Sequence, residues 1–459
     1  MKRTMRMLRN GLGLLLLLAL AASAAWLIFQ SRPRPPQAAG SPLPTPTAVR
    51  SPTPSRSPSP TARQPGPPAS PTPVATQVGQ RVPFCAFPGG EPPERGGPGL
   101  DKYDFSEPRV VLTSTGSIAI AEWLPDNNRL LVTNSYPYTY HERIETVDIR
   151  TGEIQLYAER DHHANKPVWL SAIRGVAYYG IIDNVRLALS VSRGQPSDTE
   201  TLAVVEGYAS GLGAELPVEP GGRYLMYLVD RVGGRPQVWD SVGRATQAAA
   251  FAVAEWRDFP YPEYIQRARP RWSPNGAQLA VAVYPFLFLV EPGPQRVCEV
   301  SLGSVAGVPR STVNSSWSPN GRYLAMITTA TLPGELVRST SLGVLDVLTG
   351  EQRQIVLPSN LGNIADISWG PNSRHLLALI QAARQQERSD HKLFLVDAVT
   401  GDVRAMLPKR AFGGGSNWGE QMTWSPNGQT IALKCPVRFE PEREIKEDRV
   451  CLIAAKSQP

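Results

Sequence analysis

Cysteine and histidine are scarce in this chain, and each scarcity closes off a kind of chemistry. Only four cysteines, Cys85, Cys298, Cys435 and Cys451, occur in 459 residues. No two stand in the Cys-x-x-Cys spacing of a zinc or redox site. Cys435 and Cys451 flank one predicted hairpin, so outside the cytoplasm a bridge between them is expected. Four cysteines allow three pairings, and four reduced, buried thiols are the alternative. The five histidines, His141, His162, His163, His375 and His391, show no ligand spacing. His162 and His163 are adjacent and would point to opposite faces of a strand. A Gly-x-Ser-x-Gly nucleophile elbow is also missing, since Gly414-Gly415-Ser416-Asn417-Trp418 lacks its second glycine. No catalytic residue, metal or cofactor is therefore expected.

Acidic residues are absent from the first 80 positions, which carry Lys2, Arg3, Arg6, Arg9, Arg32, Arg34, Arg50, Arg56 and Arg63. Nine positive charges there, against a chain total of +7, leave residues 81–459 at −2. The basic balance thus belongs to the N-terminal segment, and a nucleic-acid partner is not expected for the folded body.

What is present begins with an apolar run from Gly11 to Phe29, preceded by four positive charges. It approaches the roughly 20 residues that cross a bilayer core. Residues 1–10 read as a short cytoplasmic tail and 11–30 as a signal-anchor helix, which sends the remainder outside. A cleaved signal peptide ending near Ala22-Ser23-Ala24 is the competing reading, and it too exports the chain. Residues 31–83 are dominated by Pro, Ser, Thr, Ala and Arg, with too little apolar surface to fold. A proline-rich linker is expected, extending about 3.1 Å per residue and reaching roughly 150 Å.

Beyond it the sequence repeats. Trp123-Leu124-Pro125-Asp126-Asn127, Trp272-Ser273-Pro274-Asn275-Gly276, Trp317-Ser318-Pro319-Asn320-Gly321, Trp369-Gly370-Pro371-Asn372-Ser373 and Trp424-Ser425-Pro426-Asn427-Gly428 each precede an apolar run. A degenerate copy has Val218 in place of Trp, and a seventh is inferred around Trp169 from spacing. Counted between successive Trp-type positions, 123, 169, 218, 272, 317, 369 and 424, the interval suits a four-stranded blade. Proline fixes φ at the second turn position, Asn tolerates the third and Gly takes the fourth. The tryptophans are expected between blades, in structural roles. A second element, Asp148-Ile149-Arg150-Thr151-Gly152, Asp346-Val347-Leu348-Thr349-Gly350 and Asp397-Ala398-Val399-Thr400-Gly401, reads as the turn from third to fourth strand. Its aspartates are taken as structural.

Together these elements resemble the TolB-type propeller repeat, a relative of the WD-type repeat, over about residues 109–455. The resemblance implies an extracytoplasmic β-propeller that serves as a protein-interaction scaffold. The expected fold is all-β, a seven-bladed β-propeller, with six or eight blades as alternatives. Residues 84–108 would be an N-terminal extension and 109–456 the propeller. The last repeat ends one strand short, and residues 109–114 form a spare strand, so they are expected to complete the seventh blade.

The tight turns fall on one face of such a ring, and long, dissimilar connections on the other, where recognition usually resides. Tyr136, Tyr138, Tyr140, His141, Tyr261 and Tyr264 lie in these connections and are the candidate binding residues. The leading functional expectation is a non-catalytic, membrane-tethered binding or scaffolding module at the cell envelope. Its partner would be an envelope protein or a cell-surface polymer. The alternative is a carbohydrate-active enzyme or sugar binder using the central funnel.

Overall fold

The computed structural model describes residues 84–91 and 99–457. Residues 137–140, 162–165, 184–185, 207–215, 217, 229–235, 249–268, 284–285, 292–295, 306–307, 310, 331–338, 359–360, 383–389, 414–420 and 436–446 within that span are not described. All described residues belong to one compact unit, Val74–Pro459. The predicted tail, membrane span and linker, residues 1–83, lie outside them. Among the described residues, no helix is long and apolar enough to cross a membrane.

Each repeat builds an antiparallel sheet in chain order. The first contains Ser117–Trp123, Arg129–Ser135, His141–Asp148 and Ile154–Asp161. The second contains Val168–Leu170, Gly175–Ile181, Arg186–Ser192 and Thr199–Glu206. The fourth, fifth and sixth open with Arg269–Trp272, Ser311–Trp317 and Leu361–Trp369. The seventh contains Met422–Trp424, Thr430–Lys434 and Asp448–Ser457, joined by strands from the N-terminal side. First strands lie beside one another between the first and second sheets and from the fourth sheet through the seventh, and those of the seventh and first sheets meet. The result is an all-β propeller.

The blade count needs a correction. Six sheets have four or five strands, but the third has three among the described residues: Tyr224–Leu228, Pro236–Asp240 and Ala245–Ala248. Val218 makes only an isolated bridge to Leu225. The physical reason lies in the missing Trp. In three repeats the indole N–H donates to the carbonyl just before the Trp of the preceding sheet: Trp123 to Thr423 (3.1 Å), Trp317 to Arg271 (3.0 Å) and Trp369 to Ser316 (2.9 Å). Valine has no such donor. Trp123, Trp169, Trp317, Trp369 and Trp424 are buried in apolar layers between sheets, as in the layer uniting Trp369 with Tyr323, Ile355 and Ile364.

Closure comes from the N-terminal side. Arg109–Ser114 pairs antiparallel with Asp448–Ser457, and Tyr103–Phe105 continues along the same partner, Tyr103 opposite Ser457. The closing element therefore starts at residue 103, six residues before the expected boundary. Pro108 cannot donate a ladder hydrogen bond, and the pairing is interrupted there. Across the junction Asn127 Oδ1 accepts Asn427 N–H (2.8 Å), and Asp448 Oδ2 accepts Ile118 N–H (2.9 Å). All four cysteines are bridged, Cys435 to Cys451 within the seventh sheet and Cys85 to Cys298 across 213 residues.

Candidate functional site at the loop end of the first sheet

The turn end of the ring is occupied by its own architecture. In the Ser-Pro-Asn-Gly turns, Gly276, Gly321 and Gly428 donate to Ser273, Ser318 and Ser425 carbonyls, with glycine φ near +70°. The buried serine hydroxyl donates to the Asn side chain and accepts the N–H five residues on, as Ser318 does for Tyr323 (2.8 Å). The recurring aspartates are equally committed. Asp397 Oδ1 accepts the N–H groups of Val399 and Thr400, while Arg374 grips Oδ2 at 2.7 Å. Burial alone would raise the Asp397 carboxyl, but Arg374 and those N–H groups hold it below the usual range. Asp240 with Arg223 is a fourth copy, unseen in sequence because its turn reads Ser241-Val242-Gly243 without the Thr-Gly pair.

The opposite end is different. Where Arg129–Ser135, His141–Asp148 and Ile154–Asp161 reach it, strand alternation divides the charges between two faces. On the face between the first and second sheets, Glu142 pairs with Arg160, each side chain 3% exposed. Arg160 also donates to Tyr179 O (2.8 Å) and Ser135 Oγ to Glu142 (3.3 Å). A buried pair this well satisfied holds the neighbouring sheets in register; breaking one side would strand the other charge.

The other face is a charged ridge open to solvent. Its axis is Arg143, which donates to Tyr136 Oη (3.1 Å), meets Glu145 at 3.1 Å and approaches Glu159 at 3.6 Å. The His141 imidazole sits between two carboxylates, Nδ1 3.0 Å from Asp161 and Nε2 3.5 Å from Glu159. The hydrogen bond with Asp161, helped by Glu159, raises its pKa. Glu145 is buried, and desolvation pushes its carboxyl up despite Arg143. Because the two carboxylates stand on opposite sides of the ring, they favour an imidazolium rather than a shared ion. Among the described residues, no group of three or more His, Cys, Asp or Glu side chains is placed to hold a metal.

Of the predicted binding residues, Tyr136 and His141 are brought together, Tyr136 N–H donating to His141 O (3.2 Å). Tyr138, Tyr140, Tyr261 and Tyr264 lie outside the described residues. Sequence reasoning missed Arg143, Glu145, Glu159 and Asp161. Their signal was the alternation in His141-Glu142-Arg143 and Glu159-Arg160-Asp161, which becomes a ridge only once those strands pair.

No family model matches the chain, and no curated protein does. Among solved structures it is similar to an oligogalacturonate lyase from Vibrio parahaemolyticus, 10% identical, covering 77% of this chain and 97% of that one, TM-score 0.50. It is also similar to TolB from Acinetobacter baumannii, 14% identical, with a TM-score of 0.39. That match covers 66% of this chain and 65%, just under two thirds, of TolB. A xyloglucanase from Xanthomonas campestris is 14% identical over 72% of this chain and 52% of that one, TM-score 0.48. At such identities the likeness extends to the fold. Sheet topology and the recurring turns together make the chain an all-β propeller.

Proposed function

We propose that this chain is a non-catalytic binding module, tethered to the membrane with its propeller outside the cytoplasm, and that it engages an envelope protein or cell-surface polymer. In this reading the three-stranded third sheet counts as the seventh blade. The N-terminal apolar run supplies the anchor and the proline-rich segment the reach. One observation supports the binding reading above others. The recurring aspartates are spent on turns, whereas the ridge of Tyr136, His141 and Arg143 sets aromatic, cationic and anionic groups side by side, facing solvent, on a rigid sheet. Such mixed surfaces suit recognition, with Tyr and Arg as anchors.

A photo-crosslinking amino acid placed at Tyr136 in the full chain, in cells, tests this. Position 154 at the turn end, where Ile154 is 47% exposed, serves as control. A discrete adduct from 136, absent from 154 and weakened by Arg143→Ala, is the expected result. Equal labelling from both positions, or release of sugar from envelope polysaccharide by the purified chain, would contradict it.

A further inference from the structure

The described residues before the closing strand, 84–91 and 99–102, lie along the outer rim of the ring. Phe84 bridges in parallel to Glu299, on the outer strand Arg296–Glu299 of the fourth sheet, and Cys85 N–H donates to Glu299 O (2.9 Å). Cys85 is there bonded covalently to Cys298. The chain then crosses to the fifth sheet, where Gly89 N–H donates to Leu348 O (2.9 Å) and Arg322 to Glu91 O (2.6 Å). Phe87 lies so close over Gly350 that a Cβ there would sit 2.5 Å from its ring. At the sixth sheet Arg404 donates to the carbonyls of Leu100 and Tyr103 (2.6 Å for Tyr103). Only then does the chain pair with the seventh sheet and enter the first.

We propose that the Cys85–Cys298 bridge is the mechanical anchor of the propeller, diverting tension that arrives from residues before Phe84 away from the closing strand. The reason is connectivity. Without the bridge, a pull on the N-terminal side runs along the backbone to Arg109–Ser114, whose removal opens the ring between the seventh and first sheets. Ladder hydrogen bonds there would be drawn out one after another. With the bridge, the same pull passes through a covalent bond into the fourth sheet, and residues 86–116 carry none of it until the ring deforms. The use of such an anchor in cells rests on the tether proposed above, but the anchor itself is a property of the folded chain and is tested without a membrane.

The test is single-molecule pulling of the oxidised full chain between handles at positions 80 and 154. For Cys85→Ala/Cys298→Ala, an early low-force release of about 30 residues is expected, an extension of roughly 100 Å. The wild type should lack that early step. Reductant added to folded wild-type molecules should bring it on. The Cys435→Ala/Cys451→Ala variant, kept oxidised, controls for the other bridge and should behave as wild type. The reductant arm keeps the test decisive if Cys85→Ala/Cys298→Ala fails to fold. The same early release in oxidised wild type, or none after reduction, would overturn the proposal. A failure to find a membrane tether in cells would leave both readouts unchanged and count only against the functional reading.

Discussion

Three indoles reach across to the neighbouring sheet, whereas those of Trp272 and Trp424 make no such bond among the described residues. Trp424 donates to its own turn, at Gly428 O (3.0 Å), and its ring lies over Gly370, where a Cβ would be 2.9 Å from Cζ3. Glycine at 370, where three other repeats place serine, is thereby explained. For the stapling indoles, the hydrogen bond and the burial separate cleanly. Trp369→Phe should cost about 1 kcal/mol for the lost donor plus some packing, and Trp369→Ala about 3–5 kcal/mol. Chemical denaturation of the two variants measures the gap; equal, small losses would mean the ring contributes little. Two histidines give opposite pH signatures. Asn372 Oδ1 accepts the N–H groups of Arg374 and His375, so its Nδ2 must face His375 Nδ1, at 2.7 Å. That geometry requires an unprotonated Nδ1. Burial pushes this imidazole below its ordinary value, against the pull of Asp397. The unfolded chain takes up the proton near pH 6.5 and the folded chain only lower, so stability should fall as pH drops below about 6.5. His141, raised by Asp161, does the reverse. Its contribution is full below about pH 6.5 and fades as pH rises through the folded value. Histidine resonances titrating on opposite sides of 6.5, with Asp161→Asn returning His141 downward, is the expected NMR result.

At the scale of the turn and strand, Ser318 accepts the N–H of Tyr323, and its hydroxyl is fully inside. Ser318→Ala leaves that N–H without its acceptor and should cost about 1–2 kcal/mol; a thermal shift within error would show the turn held by Pro319 and Gly321 alone. These turns were legible in sequence because Ser-Pro-Asn-Gly carries its instructions within four residues. Arg223 with Asp240 was not, since 17 residues separate the partners and the Thr-Gly marker is gone. The ridge was half legible. Tyr136 and His141 stand out by residue type, but Arg143 and Glu159 meet only through the pairing of two strands. That pairing shifts register between Ile144 and Glu145, a bulge that no alternation pattern announces.

For the whole molecule, strand counting alone pointed to residues 109–114 as the partner of the last sheet, because a ring needs every sheet finished. Residues 103–105 escaped that count, since Glu107-Pro108 breaks the apolar pattern between them and the rest. Cys85 with Cys298 was beyond reach for another reason: nothing local links positions 213 residues apart. Both features bear on one claim, that the propeller is a ring closed by its own N-terminal strand, on which the ridge's rigidity and the rim anchor depend. Hydrogen exchange of the full chain, resolved to peptides covering Arg109–Ser114, tests it most directly. Closure predicts that these amides exchange as slowly as those of their partner Asp448–Ser457 and become labile together with them. Fast exchange at 109–114, with 448–457 still protected, would mean that the ring stands open there.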